Sequence, residues 1–183
     1  MFHFFAKLIL IKILKWKVVG TFPKIPKCVF AVFPHTSNYD FFLGIFIRSV
    51  LKEEINYVGK KELFNPLTSW FFKGLGGAPL NREGNQNAVE SIVNIFKQRE
   101  QFRLAIAPEG TRKPVNDWKT GFYYIAKGAK VPIQLVGFDY SKREIHFYPL
   151  FHPTDDIQKD YKIMKSYFKG VKGKNPENGI LTL

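Results

Sequence analysis

The stretch Cys28-Val29-Phe30-Ala31-Val32-Phe33, followed by Pro34 and then by His35-Thr36-Ser37-Asn38-Tyr39-Asp40, decides how this chain folds. Six consecutive apolar residues are typical of a buried strand. The threonine and serine that come next are favourable helix N-caps, and residues 41–51 continue as an apolar helix. The stretch therefore predicts a strand, a tight turn and a helix, with a histidine in the turn and an aspartate in the first helical turn.

The spacing between His35 and Asp40 restricts how the two side chains can meet. Residues five apart in an unbroken helix point about 140° away from each other. The pair can therefore make contact only if His35 lies outside the helix and folds back. An aspartate that accepts from one ring nitrogen fixes the tautomer and leaves the other nitrogen as a base. The alternative is a polar histidine at a strand end beside an unrelated aspartate.

A second motif follows another apolar run, Leu104-Ala105-Ile106-Ala107, and reads Pro108-Glu109-Gly110-Thr111-Arg112. Together with the His-x4-Asp motif it resembles the hallmark pair of the glycerolipid acyltransferases, the family of the 1-acylglycerol-3-phosphate acyltransferases. Two weaker family blocks are similar as well, at residues 77–82 and 131–133, so that the resemblance runs from about Cys28 to about Asp139. Many members carry Asn before the histidine, where this chain has Pro34.

The resemblance implies roles for individual residues. His35 would be the general base and Asp40 its orienting partner, while Arg82 would hold the phosphate of the acceptor. Gly110, Thr111 and Arg112 would bind phosphate or fix the loop beside His35. Glu109 would contact the glycerol of the acceptor, or it would pair with Arg112 or a lysine. No Gly-x-Ser-x-Gly elbow is present in the sequence, which favours direct attack by the acceptor over a covalent acyl-enzyme.

The implied reaction moves a fatty acyl group from acyl-CoA or acyl-carrier protein to a hydroxyl of a lysophospholipid-like acceptor. The family default is 1-acyl-glycerol-3-phosphate as acceptor and phosphatidic acid as product, in phospholipid biosynthesis, with no cofactor beyond the acyl donor. Two alternatives stay open. One is another acceptor, such as the lyso-form of an amino-acid lipid. The other is a non-catalytic basic module that binds lipid or nucleic acid.

Composition and charge narrow the class of protein. At 183 residues the chain is expected to form a single domain over 1–183, and strands alternating with helices predict an α/β fold, a mixed central sheet flanked by helices. The net charge of +13 indicates an anionic partner. No sequence signature of a nucleic-acid-binding fold accompanies it, so no nucleic acid is expected. The single cysteine and the spacing of the four histidines predict no metal site.

The two ends of the chain differ from the middle. Residues 1–19 are apolar but interrupted by Lys7, Lys12, Lys15 and Lys17, which argues against a transmembrane helix and predicts an amphipathic interfacial helix on an anionic membrane. Its apolar side would carry Phe5, Ile9, Ile13 and Trp16. The alternative is a helix packed on the core of its own domain. The expected location is peripheral, at the cytoplasmic face of the membrane. Residues 169–183 are basic and rich in Gly, Asn and Pro, and are expected to be a loose tail.

Overall fold

The computed structural model describes residues 2–80 and 88–180 as a central sheet with helices on both faces. The α-helices are α1 (Phe2–Lys7), α2 (Tyr39–Leu51), α3 (Ser69–Gly74), α4 (Ala88–Gln98), α5 (Gly121–Ala129) and α6 (Ile157–Ser166). A π-helical segment (Leu8–Ile13) and two short 3₁₀ helices (Lys61–Phe64, Pro176–Asn178) complete the helical elements of these ranges.

The strands are β1 (Lys17–Gly20), β2 (Lys27–Phe33), β3 (Tyr57–Lys60), β4 (Gly77–Leu80), β5 (Phe102–Ile106), β6 (Ile133–Asp139) and β7 (Glu144–Phe151). Five of them form one sheet in the order β1-β7-β6-β2-β5. Only β6 and β7 pair antiparallel there, so the sheet is mixed, as the sequence predicts. β3 and β4 form a separate parallel pair.

The apolar run of β2 packs against both layers of helices. Val29, Ala31 and Phe33 point into the core that includes residues of α4, α5 and α6. Cys28 and Phe30 point into the other core, together with Leu43 and Ile47 of α2. Side chains alternate between faces along a strand, and a strand covered on both faces needs apolar residues at every position. This is why the run is continuous rather than alternating.

The N-terminal segment departs from the expected helix over residues 1–19. The helical part ends at Ile13, and residues 17–20 instead form the edge strand β1, parallel to β7. Trp16 is buried and packs edge-on against the ring of Tyr140, so it does not belong to an exposed apolar face. Ala6 and Leu10 are fully buried as well. One side of the segment thus packs on the domain, which agrees in part with the alternative of a core-packed helix.

The expectation of a loose tail over residues 169–183 is wrong for its described part, 169–180. The carbonyl of Lys172 accepts a hydrogen bond from the backbone N–H of Tyr140, and Asn175 donates twice to Thr36. Gly173 is buried. A composition rich in Gly, Asn and Pro predicts loops, but backbone hydrogen bonds to distant residues order this loop.

Candidate active site

The candidate site lies at one edge of the sheet, where three parallel strands end together. β2 ends at Phe33, β5 at Ile106 and β6 at Asp139. Loops at the carboxyl ends of such strands are where open α/β sheets bind ligands. The loop after β2 carries His35, and the loop after β5 carries Glu109 to Arg112, so the fold brings both sequence motifs to the same edge.

The turn between β2 and α2 brings His35 onto Asp40. Asp40 is the second residue of α2, is 3% exposed, and its Oδ2 lies 3.1 Å from Nδ1 of His35. The same oxygen accepts hydrogen bonds from the backbone N–H groups of Thr36 (2.9 Å) and Ser37 (2.8 Å). The carboxylate therefore holds the turn closed, and His35 folds back from outside the helix as the spacing requires. With Nδ1 engaged by Asp40, Nε2 is the ring atom left for chemistry.

The second oxygen of Asp40 has a partner that the sequence did not reveal. The hydroxyl of Tyr140, the residue directly after β6, donates to Oδ1 at 2.6 Å. Burial and the neighbouring carboxylate both raise the pKa of Tyr140, which keeps the phenol protonated and able to donate. The position of Tyr140 at the carboxyl end of a strand was the one available signal, but no spacing rule links it to Asp40.

Glu109 is tied to the backbone of His35. It is 1% exposed, and its Oε1 accepts the backbone N–H of His35 at 2.6 Å, while its Oε2 is buried without a hydrogen-bond partner. Burial raises the pKa of Glu109 to about 7, although the hydrogen bond from His35 opposes the rise. Of the roles that the sequence left open, the geometry favours a structural one. Among the residues that the structure describes, its hydrogen-bond partner is the backbone of His35 and not Arg112 or a lysine.

The rest of the second motif forms the loop above the sheet edge. Gly110 has φ +63°, a left-handed conformation that residues with a side chain rarely adopt, which explains the glycine. The hydroxyl of Thr111 accepts the N–H of Lys113. Arg112 is exposed and lines the same cavity as His35. Arg82, the predicted phosphate ligand, lies outside the described residues.

A cavity of about 630 Å³ joins this polar turn to the interior of the domain. His35, Asp40 and Arg112 line it, together with apolar side chains that belong to the core between α2 and the sheet, such as Phe30, Ile47, Val136, Phe138 and Phe147. Its size and its mostly apolar walls are those of a small-molecule site. Over residues 2–80 and 88–180, no three potential metal ligands converge.

The chain is similar to known proteins in two ways, by its match to a family model and by its fold. The family model described as Acyltransferase matches residues 17–139. The crystal structure of the 1-acyl-sn-glycerophosphate (LPA) acyltransferase PlsC from Thermotoga maritima superposes with a TM-score of 0.61 at 20% sequence identity, covering 92% of this chain and 75% of that chain. No curated protein matches the chain. The match to the family model confirms the resemblance read from the two motifs, and the likeness to the crystal structure confirms the predicted fold.

Proposed function

Since the chain belongs to the acyltransferase family, we propose that it transfers a fatty acyl group from an acyl thioester to a hydroxyl of a lysophospholipid-like acceptor. The observation that carries the proposal is the 3.1 Å contact between His35 and Asp40 at a cavity with apolar walls. A base for the hydroxyl and a channel for an alkyl chain are the two parts that this reaction needs. The default acceptor is 1-acyl-glycerol-3-phosphate, on which the structural relative from Thermotoga maritima is named to act.

The geometry supports a direct transfer. Nε2 of His35 takes the proton of the acceptor hydroxyl as the oxygen attacks the carbonyl carbon of the thioester. The resulting tetrahedral intermediate collapses, the carbon–sulfur bond breaks, and the thiolate receives the proton from the imidazolium. Asp40 holds the ring through Nδ1 and balances its positive charge while it is protonated. A positioned base of this kind contributes roughly 10²- to 10⁴-fold in rate.

The remaining site residues divide between the two ends of the substrate. The apolar walls of the cavity accommodate an acyl chain, which gains free energy by leaving water. Arg112 lines the same cavity as His35 and supplies a cation for a phosphate, and Arg82 is proposed as a further phosphate ligand. Glu109 fixes the backbone of His35. The donor is acyl-CoA or acyl-carrier protein.

The exposed surface beside α2 supports peripheral binding to an anionic membrane, proposed at its cytoplasmic face. No helix within the described ranges is long and apolar enough to cross a bilayer. Large apolar side chains of the N-terminal segment are nevertheless exposed, namely Phe2, Phe4, Phe5, Leu8 and Ile13, and the lysines at 7 and 12 between them are exposed too. Aromatic and lysine residues together are typical of interfacial helices.

Leu67 and helix α3 add a second exposed apolar element to this surface. Leu67 is 84% exposed and Trp70 is 74% exposed. A smaller cavity is lined both by the start of α1 and by the end of α3, so both elements flank α2 on the same side. Leu75, directly after α3, also lines the main cavity. Docking through both elements would bring the cavity close to the lipid that supplies the acceptor.

Activity is tested with purified protein, a panel of lyso-lipids that includes lyso-forms of amino-acid lipids, and both donor types, with mass spectrometry of the products. We expect one lyso-lipid to gain an acyl chain and His35→Ala to abolish the transfer without loss of the fold. Near wild-type turnover by folded His35→Ala would refute the mechanism. Steeply salt-dependent nucleic-acid binding without any acyl transfer would favour the non-catalytic alternative instead.

Membrane binding is tested by vesicle flotation. Removing residues 1–19 would remove strand β1, so substitutions at exposed positions are the cleaner change. Phe4→Ser combined with Phe5→Ser, and separately Trp70→Ser, are expected to reduce flotation with phosphatidylglycerol-containing vesicles. Ile163→Ser changes a half-exposed apolar residue on α6, across the sheet, and serves as the matched control. Equal flotation of all four proteins would refute this surface.

A further inference from the structure

Two sets of contacts that hold the turn between β2 and α2 come from residues beyond the part of the chain that matches the family model. That model ends at Asp139, whereas Tyr140 and the segment 172–175 lie after it. Tyr140 donates its hydroxyl to Oδ1 of Asp40 at 2.6 Å. Asn175 donates its backbone N–H to the hydroxyl of Thr36 at 3.1 Å and its side-chain amide to the carbonyl of Thr36 at 3.2 Å.

The two contacts belong to one connected structure. The backbone N–H of Tyr140 donates to the carbonyl of Lys172 at 2.9 Å, which ties the residue after β6 to the segment. Gly173 is packed so closely against the turn that an added Cβ would lie 2.6 Å from Oγ1 of Thr36. Thus Tyr140 holds the turn between β2 and α2 at Asp40, and residues 172–175 hold it at Thr36.

We propose that Tyr140 and residues 172–175 form a brace that positions Asp40, and through it the imidazole of His35. This inference rests on the proposed function, in which His35 is the base. Four donors contact the carboxylate of Asp40. Oδ2 receives His35 and two backbone N–H groups, whereas Oδ1 receives Tyr140. Without the phenol, a buried carboxylate oxygen loses its partner, and the side chain gains by turning toward water at the expense of its contact with the ring.

Packing alone is the competing explanation for Tyr140, because its ring also stacks edge-on with Trp16 at 4.9 Å. Tyr140→Phe separates the packing role of the ring from the hydrogen bond of the hydroxyl, since it keeps the ring and removes only the hydroxyl. Tyr123→Phe is the matched control. The hydroxyl of Tyr123 donates to the buried carboxylate of Asp160 at 2.8 Å, between α5 and α6 on the other face of the sheet. Both variants lose one tyrosine–carboxylate hydrogen bond, but only the bond lost in Tyr140→Phe involves a residue of the turn between β2 and α2.

The kinetic test compares these two variants with the acceptor identified for the wild type. We expect Tyr140→Phe to lower kcat roughly tenfold with little change in either KM, the usual size of effect for one hydrogen bond to a charged group. Tyr123→Phe should keep the wild-type kcat. Asn175→Ala should lower kcat in the same direction by less, because the backbone N–H of residue 175 still reaches Thr36.

A spectroscopic test does not depend on activity. Nitrogen-15 spectra report which ring nitrogen of His35 carries the proton, and the signal is assigned by its loss in His35→Ala. Contact with Asp40 selects the Nδ1–H tautomer, so Tyr140→Phe should shift the ring toward the Nε2–H form that a histidine side chain prefers in water, whereas Tyr123→Phe should not.

The outcomes separate the brace from the proposed function. An unchanged tautomer in Tyr140→Phe would overturn the brace, whether or not kcat falls, because Tyr140 would then not act through Asp40. A tautomer shift with the expected loss of kcat supports it. A tautomer shift together with an active His35→Ala protein would keep the brace and reject His35 as the base.

Discussion

Glu109→Gln should change the pH dependence of folding stability, because the wild-type carboxyl is buried with one oxygen unpaired. Glutamine has nearly the shape of a protonated glutamic acid, and its oxygen can keep the hydrogen bond from the backbone N–H of His35. The substitution therefore removes the titration while it leaves the contact with the turn between β2 and α2 in place. At low pH the two proteins should differ only by a constant offset.

The size and sign of the effect follow from the pKa of Glu109, which burial raises from 4.5 to about 7. Between these two values the folded protein keeps the proton of Glu109 while the unfolded chain releases it. The free energy of unfolding of the wild type therefore falls as the pH rises through this window. A tenfold change in proton affinity is about 1.4 kcal/mol, so the total loss is about 3 kcal/mol above pH 7.

The assay is urea unfolding of both proteins at closely spaced pH values from 4 to 8. Groups far from Glu109 titrate equally in both proteins, so the difference between the two curves reports Glu109 together with its coupling to His35 and Asp40. We expect the variant to gain stability over the wild type with rising pH, up to about 3 kcal/mol. Glu100→Gln, at an exposed position, is the control and should show no such trend. A difference that is constant with pH for Glu109→Gln would show that folding does not raise the pKa of Glu109.

Two substitutions test other parts of the site, and a thiol reagent tests the core beneath it. Gly44 of α2 lines the cavity with open space where a Cβ would be, so Gly44→Leu should lower turnover with long-chain donors more than with short-chain ones, measured with a donor series. Arg82→Ala should raise the KM of the acceptor far more than that of the donor, and equal effects on both would count against a phosphate role. Burial raises the pKa of Cys28 to about 12, so the native protein should not react with a thiol reagent at pH 8, whereas the urea-unfolded protein should react fully.

The parts of the site that sequence predicts are those built from residues close in the chain. The turn carrying His35 and Asp40 is one example. The helix period allows their contact only if His35 lies outside the helix, and the 3.1 Å distance shows that the two side chains do meet. The apolar runs that became β2 and β5 are another, since continuous apolar runs of that length are typical of buried strands.

The parts that sequence does not predict depend on contacts between distant residues. Residues 17–20 continue the alternation of lysine and apolar residues that precedes them, and they form a strand only because residues 144–147 offer an edge to pair with. Tyr140 reaches Asp40 across 100 residues, and Asn175 reaches Thr36 across 139. The carboxyl of Glu109 accepts a hydrogen bond from the backbone N–H of His35. Every residue except proline has such a donor, so the pattern of side chains does not predict this contact.

The junction between the N-terminal helical segment and β1 is short and tied at each step. The N–H of Leu14 donates to the carbonyl of Ile9, and that of Trp16 donates to the carbonyl of Leu10. The N–H of Lys17 donates to the carbonyl of Arg143, the residue directly before β7. These hydrogen bonds leave no flexible hinge between the N-terminal helical segment and the sheet, so the two keep a fixed orientation to each other. On a bilayer, the domain would stand at one angle and one height above the lipid phosphates. The depth reached by Phe4 and Phe5 would then set how far an acceptor must rise to meet His35.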